Sequence, residues 1–195
     1  MTKTPKDLER IEAAASGPPD AASGKPAGGG KRRTPVDMGH YGISIDSEGE
    51  WSHGGTPFPR IALAKLFATV LKRDADGLYW LETPVERGRV DVADAPFVAV
   101  ELQATGAGDG QDVRFRTNLD EWTPLDDEHR LRIEVDAETD EPRPYVHVRG
   151  GLEARLLRPV FYDLAELAVE NETGETMGVW SGGRFHELGP AEADE

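Results

Sequence analysis

Arginine is the residue type in this chain whose placement could do chemistry. Beyond residue 36 the chain carries thirteen Arg against two Lys, Lys65 and Lys72. A guanidinium fork suits bidentate recognition of carboxylate or phosphate. Arg60 follows Gly54-Gly55 and two prolines, at the expected first turn of a helix. Arg149, Arg155 and Arg158 surround Gly150-Gly151 and the start of a second helix-like run. A GlyGly pair before a helix lets backbone N–H groups turn outward, and a helix N-terminus favours an anion. Trp51, Tyr79 and Tyr145 offer flat rings for stacking on a base or another planar group, and Thr83, Asn118 and His53 offer polar contacts. The same arginines serve equally as ion-pair partners for an acidic body.

Other chemistries find less support. The histidines are His40, His53, His129, His147 and His186, and none stands in an HExxH motif or a close pair, so no metal site is expected. Asp46, Glu48 and Glu50 suggest a cation loop, but Ser44 occupies the position where a calcium loop places its first Asp. There is no Gly-x-Ser-x-Gly elbow, and Gly30-Lys31 lacks both the earlier Gly and the following Ser or Thr of a phosphate loop. Without cysteine, thiolate catalysis and disulfides are excluded. Carboxylates are so numerous that no pair stands out for acid–base work. No catalytic residue and no cofactor is expected.

These residues need elements to hold them. The first 36 residues contain Gly17-Pro18-Pro19 and Gly28-Gly29-Gly30 with few large aliphatics, and read as a disordered extension. Within it, residues 2–15 read as a short, isolated helix, marginal in water. This stretch carries seven Lys or Arg and four Asp or Glu, a net of +3, whereas the rest carries 15 against 33, a net of −18. So acidic a body repels nucleic acid and anionic lipid. No apolar run reaches membrane-spanning length and no signal-peptide core is present, so a soluble cytoplasmic protein is expected.

Alternation predicts strands at 41–46, 50–53, 78–81 and 90–92, with a helix after Pro57 and Pro59 whose stripe is Leu63, Leu66, Phe67, Val70 and Leu71 and whose end carries Lys72 and Arg73. A second unit, 94–189, shows strands at 97–104, 113–117, 131–136 and 145–149, a longer helix over 152–169, a closing hairpin at 178–188, and an acidic tail over 190–195. Ile43 to Asp46 leading to Gly54-Gly55 and Arg60 reads like Ile133 to Asp136 leading to Gly150-Gly151 and Arg155. The expectation is therefore α+β: two related subdomains, 37–93 and 94–189, each an antiparallel sheet with one main helix. A seam between such halves is a favoured place for a ligand.

Together the residues resemble a known family. Gly49-x-Trp51-x-x-Gly54-Gly55-x-Pro57-x-x-Arg60, Leu66-Phe67 and Asp76-Gly77-x-Tyr79-x-Leu81-x-Thr83-Pro84-Val85-Glu86 are similar to the bacterial domain of unknown function family 1285. Val92-x-Asp94-Ala95-Pro96-Phe97, Phe115-x-Thr117-Asn118 and Gly151-Leu152-x-Ala154-Arg155-x-x-Arg158-x-x-Phe161-Tyr162 extend the likeness to about Asp37–Leu188. Phe58 departs from the usual aliphatic residue at its position. The resemblance implies a duplicated core, a pleckstrin-homology-like C-terminal half, a nucleotide-like ligand at the domain interface and a role in signal transduction; it carries no catalytic residues. The expected function is a non-catalytic sensor for a small anionic or nucleotide-like ligand, bound through Trp51, His53, Arg60, Tyr79, Thr83, Asn118, Arg149, Arg155 and Arg158. The alternative is an adaptor that engages a protein partner and no small molecule.

Overall fold

The structure is a computed structural model and describes residues 5–16 and 34–191. The chain divides into two compact units, Met1–Ala93 and Asp94–Glu195.

The first unit comprises α1 (Pro5–Ala15), β1 (Val36–Ile45), β2 (Trp51–His53), β3 (Thr56–Pro57), α2 (Ile61–Thr69), β4 (Leu71–Arg73), β5 (Tyr79–Glu82) and β6 (Glu86–Val92). Its six strands form one sheet in the order β3-β2-β1-β6-β5-β4. Every neighbouring pair is antiparallel except β1 and β6, which run parallel. Tyr41, Ile43 and Ile45 alternate into the core from β1, and Leu63, Ala64, Phe67 and Ala68 do so from α2. Trp51, Phe58 and Phe67 make a ring cluster with centroids 5.7–6.5 Å apart. On β6, Gly88 is required by crowding: a Cβ there would stand 2.5 Å from the ring of Tyr41. The Tyr41 hydroxyl donates to Glu86 at 3.3 Å. Burial, and then Glu86, push that phenol well above the ordinary tyrosine range.

Two expectations for this unit are corrected. The extension over residues 1–36 is not disordered throughout, because Pro5–Ala15 is helical and Ile11 is fully buried. Arg10 pairs with Glu86 at 3.5 Å and Glu12 with Arg60 at 2.5 Å, so tertiary contacts hold a helix too short to persist alone. The Gly30-Lys31 pair and most of the expected linker lie outside the described residues. Lys72 and Arg73 do not close α2, which ends at Thr69; they belong to β4, opposite Trp80 and Tyr79.

The second unit comprises β7 (Phe97–Thr105), β8 (Asp112–Thr117), β9 (Trp122–Pro124), β10 (Leu131–Val135), β11 (Pro142–Arg149), β12 (Leu152–Leu156), α3 (Arg158–Ala165), β13 (Val169–Glu170), β14 (Thr176–Ser181) and β15 (Arg184–Pro190). Six strands form the sheet β10-β11-β12-β7-β8-β9, and the last three form a separate sheet β13-β14-β15. Phe97, Phe115, Val146, Leu152, Leu156 and Leu164 are among its most deeply buried side chains. Buried Ser181 fastens the small sheet to the large one. Its hydroxyl accepts the Val113 N–H at 2.9 Å and donates to the Leu125 carbonyl at 2.6 Å.

The helix expected over 152–169 is corrected to a strand and a shorter helix. Leu152, Ala154 and Leu156 are buried alternately, which is the period of a strand, and Pro159 lies in the first turn of α3 instead of kinking a longer helix. The expected tail from Pro190 is paired at its start: Pro190 stands opposite Thr176, and Ala191 donates to the Glu175 carbonyl at 2.9 Å. Residues 192–195 lie outside the described residues.

Two halves, each built on a six-stranded sheet with few helices, agree with the two-subdomain reading. The duplication lies deeper than the expected segment. Each large sheet is a pair of three-stranded antiparallel meanders joined in parallel through its first and last strands, β1 to β6 and β7 to β12. On that count β1 corresponds to β7, not to β10, which pairs with β11 alone. The helices are not equivalent either: α2 joins the third and fourth strands of its half, whereas α3 follows the sixth.

The GlyGly elbows are also corrected. Gly54-Gly55 joins β2 to β3 and Gly150-Gly151 joins β11 to β12, with φ of 58° and 80° and of 54° and 78°. Gly182-Gly183 does the same between β14 and β15. Positive φ at both central residues is the turn whose twist matches flanking antiparallel strands. These glycines make hairpins and do not open helices.

Candidate functional site

The nine residues singled out from sequence fall into two groups. Asn118, Arg149 and Arg155 each border the start of β7, Arg149 on the face of Phe97 and Arg155 on the face of Val98. Asn118 brackets Val98, its side-chain oxygen accepting the Val98 N–H at 3.1 Å while its own N–H donates to the Val98 carbonyl at 2.7 Å. Arg155 stands opposite Val98 across the parallel β12–β7 pair. Arg149, at the end of β11, lays its guanidinium over the Phe97 ring, 5.2 Å from the centroid. Each position follows from a turn: Gly150-Gly151 returns the chain so that Arg149 and Arg155 flank one hairpin, and the Thr117–Glu121 turn brings Asn118 to β7.

The electrostatics of this cluster are set by acids on hand. Arg149 is ion-paired with Glu121, through side chains 37% and 40% exposed. Arg155 reaches Asp94 at 3.1 Å with the two side chains only 21% and 19% exposed. Asp94 also accepts the Tyr145 hydroxyl at 2.8 Å. Burial, then the hydrogen bond and charge of Asp94, push the Tyr145 phenol up to about 12. Above Tyr145 lies Arg132, 4.3 Å from the ring centroid. Glu153 grips Arg132 with two parallel hydrogen bonds of 2.9 and 2.8 Å, which pushes that guanidinium's pKa up. Of these pairs, Arg149–Glu121 is the more open to solvent and to competition.

Of the remaining six, five belong to the first unit and Arg158 lies elsewhere in the second. Trp51 is in the core of its sheet, and its indole N–H is buried without a hydrogen-bond partner among the described residues. His53 borders Gly42 at the end of β2. Arg60 stands at the N-terminal boundary of α2, facing Glu12. Tyr79 lies under Arg73, whose guanidinium is 5.5 Å from the ring centroid. Thr83 is buried, and its hydroxyl exchanges hydrogen bonds with the carbonyl and N–H of Glu86, bracing a turn. Arg158 pairs with Glu141 near the beginning of β11, at the end of the strand away from Arg149.

Sequence reasoning did not single out Phe97, Glu121 or Asp94 as site residues. Asp94 and Phe97 did stand in the motif Asp94-Ala95-Pro96-Phe97, and their spacing was the available signal. Among the described residues no group of three or more His, Asp or Glu is placed to hold a metal ion. No helix among them is long and apolar enough to cross a membrane.

Comparison with known proteins matches the same two segments. Residues 31–95 match the domain of unknown function DUF1285, N-terminal domain, and residues 96–188 match the protein of unknown function DUF1285, C-terminal domain. The chain is similar to the crystal structure of a DUF1285 family protein from Silicibacter pomeroyi, with 38% identity, a TM-score of 0.75, and coverage of 80% of this chain and 84% of that one. It is also similar to a DUF1285 family protein from Shewanella baltica, with 26% identity, a TM-score of 0.51, and coverage of 64% and 91%. No curated protein matches the chain. With both domain models matched in order and their boundary at the start of β7, the chain belongs to the DUF1285 family.

Proposed function

We propose that this protein is a non-catalytic sensor that takes a small anionic, nucleotide-like ligand and acts in cytoplasmic signal transduction. The observation that carries the reading is Arg149. Its guanidinium lies over Phe97 and pairs with Glu121, both side chains being more than a third exposed. An exposed pair of this kind contributes about 0–1 kcal/mol, so a phosphate or carboxylate can displace Glu121 and inherit an already oriented fork. Arg155 and Asn118 border the same strand start, where Arg155 is held by Asp94 and Asn118 keeps β7 in place. The likeness of the C-terminal half to pleckstrin-homology folds belongs to the same proposal and is supported by its order of a six-stranded sheet followed by α3.

Thermal-shift titration with nucleotides and simple anions tests it, on the unmodified protein, on Arg149→Ala and on Arg158→Ala. The expected result is stabilisation of the unmodified protein and of Arg158→Ala by the same ligand, and its loss in Arg149→Ala. Stabilisation by no anion, or equal stabilisation of both variants, overturns the reading. A second reading, a protein adaptor, is favoured by the edge strand β10, where Val135 is 62% exposed and an extended peptide could add a strand. A stoichiometric protein partner that Val135→Lys abolishes, without any ligand effect, would select it.

A further inference from the structure

The polar face of the first unit's sheet carries a cation that no neighbour answers among the described residues. Strand register sets Lys72 on β4 opposite Trp80 on β5, Trp80 opposite Arg89 on β6, and Arg89 beside His40 on β1. Residues opposite one another in a ladder share a face, so these four make one row across four strands. Arg87, two residues before Arg89, is on that face too, with its guanidinium 4.4 Å from the centre of the Trp80 ring.

The acids around the row are already engaged. Lys72 pairs with Glu82 at 2.6 Å, Arg87 with Asp37 at 3.4 Å and His40 with Asp91 at 3.0 Å. The Trp80 indole N–H donates to Asp74 at 2.8 Å. The Leu78 N–H, then this indole, hold the Asp74 carboxyl below the usual carboxylate range. Arg89 is exposed, and its side chain has no hydrogen bond, ion pair or ring contact among the described residues. The Nε of Arg87 is sealed from solvent without an acceptor. Thus Arg89 keeps its side-chain donors free on its strand, two residues beyond the half-buried Arg87, in a chain whose net charge is −15. In so acidic a protein an unanswered guanidinium in mid-sheet, flanked by a rigid aromatic stack, is suited to an anion from outside.

We propose that Arg89, beside the Arg87–Trp80 stack and with Lys72 across the row, binds the phosphate group of a small ligand on the sheet of the first unit. Arg89 supplies the bidentate fork. The stack gives the ligand a fixed wall, because Arg87 already covers Trp80 and leaves no ring face for a base. Lys72 is tied to Glu82 only by an exposed pair and can turn towards added charge. Recognition therefore rests on the phosphate group, either free or carried on a nucleoside.

The test is an NMR titration of the full chain at constant ionic strength, following the Arg89 Nε–H and Trp80 indole N–H signals. Inorganic phosphate is added in one arm and adenosine 5′-monophosphate in the other. Saturable shifts of both signals are expected, and the binding reported by the Trp80 indole should weaken about tenfold or more in Arg89→Ala and in Arg89→Gln, as for loss of a charge-assisted hydrogen bond. Arg149→Ala should leave them unchanged, which separates this site from the one at β7. Tighter binding of the nucleotide would mean that the phosphate arrives on a nucleoside; equal binding would mean that the phosphate alone is read. Shifts that grow linearly without saturation, or that survive both Arg89 substitutions, overturn the proposal.

Discussion

Replacing Ile11 by Ala should release α1 and leave the rest of the first unit folded. Ile11 is 1% exposed, and burying an isoleucine side chain stabilises by about 1.5–3 kcal/mol. The two ion pairs beside it, Arg10–Glu86 and Glu12–Arg60, involve side chains up to 44% and 60% exposed and add about 0–1 kcal/mol each. Against these stands the cost of ordering an eleven-residue helix that is marginal alone. Docking is therefore held by a few kcal/mol at most, and Ile→Ala at a buried site removes about 2–5 kcal/mol. The loss of global stability should be capped at the docking free energy, since a helix that has left has nothing more to lose. Ile11→Ala and the harsher Ile11→Asp should then lower the unfolding midpoint equally, while hydrogen exchange over residues 9–16 becomes fast in both. A much larger drop for Ile11→Asp, or unchanged protection of α1 in Ile11→Ala, would refute this account.

Two other outcomes follow from buried polar groups. Ser181→Ala leaves the Val113 N–H and the Leu125 carbonyl without that hydroxyl; at about 1–3 kcal/mol for an unsatisfied buried group, thermal unfolding should shift by several degrees, and a shift below one degree would count against the fastening role. Tyr145 ionises at about 12 in the folded protein against 10.0 as its ordinary value, so its contribution is complete below pH 10 and is lost as pH rises towards 12, where the unfolded chain ionises first. Denaturant unfolding across that window should show a shallower fall for Tyr145→Phe, and identical slopes would contradict it.

Local patterns were legible in the sequence and distant pairings were not. The hairpins β7–β8 and β14–β15 and the start of α2 announce themselves through alternation, glycine and Pro57/Pro59, each within about twenty residues. Leu71 deceived because it also fits the helical stripe of α2, although it opens β4. Leu152, Ala154 and Leu156 deceived because Leu157, Val160, Phe161 and Leu164 follow at helical spacing and hide the change of period. The parallel joins β1–β6 and β7–β12 link residues far apart in the chain, and no local signal marks them. The same limit governed the site. Arg60 and Arg158 stood out by position near helix starts, but their partners Glu12 and Glu141 are visible only in three dimensions. Asn118, Arg149 and Arg155 border one strand start because two turns, Thr117–Glu121 and Gly150-Gly151, lead to it.

The central parallel pair in each half has a kinetic meaning. Each three-stranded meander closes through short turns and can form early, but Ile43 finds Val90, and Phe97 finds Ala154, only after a long loop has closed. The rate-limiting event in assembling either half is then the meeting of two preformed ribbons. Until it happens, the strands destined for the middle of the sheet are edges, open to pairing with another molecule, and slow refolding at high concentration is where this protein should aggregate.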